Sequence, residues 1–120
     1  MSDLSELAQR YIAVWNEPDA ERRLAGIEAL WAVDCAHYTD IREAHGYDAL
    51  HERIAKAYEQ WVAPGQYVFR AVDNANGHHN TVRFNWEMVT TDSDQVVSVG
   101  FDFLLLDDQG KISVDYQFID

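Results

Sequence analysis

Apolar residues near the start of the chain recur every three or four positions: Leu4, Leu7, Ala8, Tyr11, Ile12 and Trp15. That spacing predicts an amphipathic helix with one buried stripe. Asp3 and Glu6 stand where a capping box would close its first turn. The run Asn16-Glu-Pro-Asp19 breaks this helix, and Pro18 suits the first turn of a second one. Leu24, Ile27 and Leu30 give that second helix its apolar face, and it is expected to end near Trp31. Leu50, Ile54, Ala57, Tyr58 and Trp61 predict a third helix, stopped by Pro64-Gly65. Between the second and third helices, residues 35–40 read as a short strand. Residues 41–46 read as a turn or a second short strand.

From residue 66 onward the period changes from helical to two. Alternating runs cover 66–73, 80–90, 95–106 and the closing ten residues, separated by the polar turns NANG, TDSD and DDQG. Such turns between alternating runs are hairpin signals, and four strands in succession make a meander. Helices first and strands afterwards indicate an α+β domain whose helices cover one face of a strongly curved sheet. No repeat, linker or low-complexity stretch divides residues 1–120, so a single domain is expected.

Side chains alternate along each strand. Val82, Phe84, Trp86 and Met88 share one face, with Arg83, Asn85 and Glu87 on the other. Val97, Val99, Phe101, Phe103 and Leu105 form an apolar face opposite Ser98, Gly100, Asp102, Leu104 and Leu106. In the last strand Ile112, Val114, Tyr116 and Phe118 oppose Ser113, Asp115 and Gln117. Asp102 is the one carboxylate in an otherwise apolar strand, and a charged carboxylate there is costly unless paired or protonated. In a simple sandwich, Asp102 faces solvent. Alternatively both faces are covered, the helices and a pocket on one side and a partner subunit on the other. A strip as broad as Phe101, Phe103, Tyr116 and Phe118 would be a large bare patch, which a homodimer would bury.

Composition narrows the function. Nearly half of the residues are hydrophobic (48%), enough for a core, and 12% are aromatic, enough to line a cavity as well. The net charge of -12 disfavours nucleic acid and anionic membrane surfaces as partners. The single cysteine, Cys35, cannot form an internal disulfide, and the N-terminal residues lack the pattern of a signal peptide; a cytoplasmic location is expected. His37, His45, His51, His78 and His79 are scattered without metal-ligand spacing, so no metal is expected. His37 also alternates to the face opposite Asp40, which makes it a poor partner for that residue. No nucleophile elbow or phosphate loop is present.

The segments YIAVWNEPDAERRLAGIEALWA, HYTD, GYDAL, GFDFLLLDDQGKI and the closing FID resemble the nuclear transport factor 2-like superfamily, and within it the SnoaL-like branch of polyketide cyclases. The resemblance spans essentially the whole chain. It implies a cone: a curved antiparallel sheet wrapped around three N-terminal helices, with a pocket at the open end. It also implies that Asp102, Asp115 and Gln117 face inward with Phe84, Trp86 and Met88, and that the outer sheet face pairs in a homodimer. The chain is similar, too, to ketosteroid isomerases, whose motif matches Tyr11, Asp40 and Asp102. Relatives usually carry Asp-Pro where this chain has Asp40-Ile41.

The chemistry implied is cofactor-free acid/base catalysis. A buried Asp102 with a raised pKa and Tyr11 would donate hydrogen bonds to a developing oxyanion. Asp40 or Asp115 would move a proton on the adjacent carbon. Trp15, Tyr38, Tyr58, Trp61, Phe84, Trp86, Met88 and Gln117 are the candidates to line the substrate pocket. Each residue also has a plainer use: Tyr11 and Trp15 as core, Asp40 as a turn cap, Asp115 and Gln117 as solvated residues near the chain end. Three functions are compatible with this reading: isomerisation, cyclisation or dehydration of a small hydrophobic carbonyl compound; non-catalytic binding of a hydrophobic ligand; and a dimeric interaction protein.

Overall fold

The computed structural model describes residues 3–120, with the side chain of Asp3 left aside, so the expected Asp3–Glu6 capping box lies outside the described residues. Helix α1 (Asp3–Asn16) is followed by α2 (Ala20–Leu30), β1 (Trp31–Tyr38), β2 (Glu43–His45) and α3 (Gly46–Ala57). A π-helical turn (Tyr58–Val62) then leads to β3 (Tyr67–Ala71), β4 (Thr81–Thr90), β5 (Val96–Leu106) and β6 (Ile112–Ile119). The N-cap of α2 is Asp19, whose carboxylate accepts the Arg22 N–H at 2.9 Å, so Pro18 lies just outside the helix. The third helix is shorter than its apolar stripe predicts. It changes to a π turn at Tyr58, which displaces Trp61 from the α-helical register.

The strands form one sheet in the order β2-β1-β6-β5-β4-β3. The meander β3–β6 is antiparallel, as the hairpin signals predict. The expected all-antiparallel sheet needs one correction: β1 runs parallel to β6 and sets His37 opposite Asp115. Strand β1 also starts earlier than expected, at Trp31, directly on leaving α2.

The helices cover the concave face, and the core between them contains Tyr11, Trp15, Ile27, Trp31, Leu50, Ile54, Phe84 and Leu104. Asp102 and Asp115 are both 0% exposed on this inner face, so the sandwich with Asp102 in water is overturned. Two bulges shift the strict alternation. One, near Ser113, turns Ile112 into the core, away from the outer face shared by Tyr116 and Phe118. The other, at Val97, brings that residue to the rim of the inner cavity instead of the outer apolar strip.

Candidate active site

The site grows out of strand register. Asp102 pairs with Gln117 across β5–β6, and Leu104 pairs with Asp115, so the two acids are diagonal neighbours on the inner face. On the other side of β5, Trp86 pairs with Gly100. A Cβ at Gly100 would lie inside the contact distance of the Trp86 ring. The missing side chain lets the indole lie flat across β5 and reach Asp102, where its N–H donates to Oδ1 at 2.7 Å. Tyr11, on the buried stripe of α1, lowers its hydroxyl onto the acids and lies 2.7 Å from Oδ2 of each. His37 Nδ1 stands 2.9 Å from the same Asp115 oxygen.

These distances define a proton inventory. A phenol has one proton and cannot donate to two carboxylates at once. Burial, then the neighbouring Asp115 charge, push the Asp102 carboxyl well above the usual range. Burial also raises Asp115, but hydrogen bonds from Asp102 and Tyr11 and the charge of Arg53 oppose the rise. Burial therefore favours a shared proton on the pair, and Asp102 is the more strongly raised of the two. His37 is kept neutral, pushed down to about 4 chiefly by burial and then by Arg53, against the pull of Asp102. Trp86 N–H donates to Asp102 Oδ1, His37 Nδ1 lies against Asp115 Oδ2, and the Tyr11 hydroxyl stands within donating distance of both acids, giving its one proton to whichever is ionised. Burial and both acids raise the Tyr11 pKa well above its ordinary value, so Tyr11 remains a phenol.

A cavity of about 440 Å³ opens beside this network. Its wall includes Tyr11, Trp15, Trp61, Phe69, Trp86, Met88 and Gln117, together with Arg42 and Arg53. Tyr11 and Trp86 are the members of the acid network that border it. Asp102 and Asp115 lie behind Tyr11 and Trp86 and are not part of the wall. Gln117 links the two zones: its Nε2 is 3.5 Å from the Tyr11 hydroxyl, and its Oε1 accepts from Arg53 at 3.1 Å.

The structure thus brings Tyr11, Asp102, Asp115, Trp15, Trp61, Trp86, Met88 and Gln117 together at or behind one cavity. It does not bring four others there. Asp40 is exposed and borders a separate shallow depression with Tyr38, which stacks on Tyr116 on the outer face with ring centroids 5.5 Å apart. Tyr58 packs under the guanidinium of Arg23. Phe84 faces inward but is spent in the core, edge-on to Tyr11. Sequence reasoning missed His37, Arg42 and Arg53. Among the described residues, no group of three His, Cys, Asp or Glu side chains is arranged to hold a metal ion.

The family model for the SnoaL-like domain matches residues 8–114. The chain belongs to the SnoaL-like domain family. No curated protein matches this SnoaL-like chain. Among solved structures, a candidate isomerase of the SnoaL-like family from Agrobacterium tumefaciens is similar at a TM-score of 0.90 and 30% identity, covering 100% of this chain and 99% of that one. A candidate polyketide cyclase from Sinorhizobium meliloti superposes at 0.71 with 13% identity, over 96% and 95% of the two chains. An NTF2-like protein of unknown function from Exiguobacterium superposes at 0.66 with 18% identity, over 95% and 98%. The last two show the fold alone. The resemblance read from the sequence, and the cone-shaped α+β fold it implies, are borne out. No helix among the described residues is long and apolar enough to cross a membrane.

Proposed function

We propose that this SnoaL-like domain performs acid/base chemistry on a small hydrophobic carbonyl compound held in the cavity. The observation that carries this reading is the Tyr11 hydroxyl, which borders the cavity and bridges two buried acids at 2.7 Å each. Turning its O–H from the buried acids to a substrate oxygen, Tyr11 would donate a hydrogen bond that strengthens as negative charge builds on that oxygen. If the Tyr11 proton moves to the substrate, the Asp102 proton moves to Tyr11, leaving Asp102 ionised until the proton returns. Asp102 and Asp115 act through Tyr11, as proton store and orienting acceptor. Because Asp40 stands elsewhere, the cavity wall contains, among the described residues, no carboxylate to take a proton from carbon. Isomerisation, aldol cyclisation and dehydration each also need a base for the proton on carbon, so the proposal keeps all three, with Tyr11 serving the substrate oxygen.

Wild type, Tyr11→Phe and Asp102→Asn tested against polyketide-like and steroid-like ketones and hydroxyketones decide the matter. The expected result is turnover by wild type that drops at least about a hundredfold in each variant, the size typical of lost general acid catalysis. Equal turnover by all three would remove Tyr11 and Asp102 from the reaction.

The separation of both acids from the cavity wall favours a second reading, in which the domain holds a hydrophobic ligand without transforming it. Tight binding with no turnover by wild type on the whole panel would establish it. The proposal also includes a homodimer through the outer sheet face, where Phe118 is 53% exposed beside Phe101 and Tyr116. A cytoplasmic location completes it, supported by a single, buried, unpaired cysteine.

A further inference from the structure

The cavity wall contains two arginines and, among the described residues, no aspartate or glutamate. This is unexpected in a chain of net charge -12. Arg53 reaches in from α3, its guanidinium centred 5.2 Å from the Trp15 ring and donating to Gln117 Oε1. Its Nε is buried and has no acceptor; the indole N–H of Trp15, beneath it, is also buried without one. Burial, then the charge of Arg42, lower the Arg53 pKa, so a half-buried cation on the wall faces a like charge at its exposed rim. Two cations on a wall without an acid ask for one kind of group, an anion whose oxygens can pair with them. The rest of the wall, Trp61, Phe69, Trp86 and Met88, asks for an apolar body.

We infer that the cavity takes a hydrophobic carboxylic acid, its carboxylate held by Arg53 with Arg42 and its apolar body against Trp61, Phe69, Trp86 and Met88. The inference rests on the reading of this cavity as the substrate site and narrows the carbonyl compound to an oxo acid. Gln117 spans the distance between Arg53 and Tyr11, so the carboxylate would anchor the molecule while its second oxygen meets the Tyr11 hydroxyl.

Trp61 and Trp86 supply an optical readout of binding. Naphthoate, indoleacetate and decanoate are titrated into the protein, each against its own primary amide, by tryptophan fluorescence and calorimetry. The expected result is at least one acid bound about tenfold or more tightly than its amide. That preference disappears in Arg53→Gln, is partly kept in Arg53→Lys, and weakens with added salt. Amides bound as tightly as acids, a preference unchanged in Arg53→Gln, or no binding by any pair would each overturn the inference. Circular dichroism of each variant confirms folding, and Arg42→Gln, an exposed position, gives a second route to the same preference. Binding is read without turnover, so this inference can fail while the Tyr11 chemistry stands, and the reverse.

Discussion

Trp86 and Asp102, two positions apart in register on neighbouring strands, are joined by a 2.7 Å hydrogen bond from the indole N–H to Oδ1. The bond exists because Gly100 has no side chain to lift the indole away. Gly100→Ala is therefore expected to displace Trp86 and strip Asp102 of that donor. Overpacking of this kind costs about 1–3 kcal/mol. Urea denaturation measures the loss, and a shifted tryptophan emission reports the moved ring. Unchanged stability and emission would show that the indole has room to spare.

Tyr11→Phe removes the hydroxyl that two buried acids share. The phenyl ring still fills the core, so the change isolates the polar contribution. Leaving buried oxygens without a partner is expected to destabilise by about 1–3 kcal/mol at neutral pH. The loss should be smaller in acid, where both carboxyls are protonated and can bond to each other. Denaturation curves at two pH values test this.

His37 is ordinarily a 6.5 group and is held at about 4. Between those values the unfolded chain binds a proton that the folded one does not, so this residue's contribution to stability falls as pH drops from about 6.5 to about 4. The full effect is ~3 kcal/mol. His37→Asn keeps a donor for Asp115 and removes the titration. Wild type should lose stability relative to this variant across the interval; parallel curves would mean that His37 is not kept neutral.

The outer sheet face gives a prediction about mass. Sedimentation should show twice the 13.8 kDa of one chain, and Phe118→Asp should yield monomers. A wild-type monomer at micromolar concentration would count against the dimer.

Much of the fold was legible because its signals are local. The shift from helical to two-residue periodicity and the Asn- and Gly-bearing turns identify the meander, and Asp102 stands out as the one charge in an apolar strand. The parallel pairing of β1 with β6 has no such signal, because it joins residues 78 apart, His37 and Asp115. Strand β1 was also cut short in the reading, because Trp31 passes from helix to strand without a Pro or Gly between them. The inward aim of His37 follows from that same long-range pairing, which sets it opposite Asp115. Arg53 was invisible for another reason: it sits one step off the apolar stripe of α3, where a charge reads as solvated. The bulges at Val97 and near Ser113 are likewise set by pairing and not by composition.

The claim on which the chemistry turns is that one proton stays on the Asp102–Asp115 pair after surface acids have ionised. Carboxyl carbon NMR of aspartate-labelled protein, assigned with Asp102→Asn, measures it directly. The account predicts that the Asp102 signal keeps its protonated shift at pH values where the exposed aspartates have already ionised. An Asp102 signal that ionises together with the exposed aspartates would contradict it.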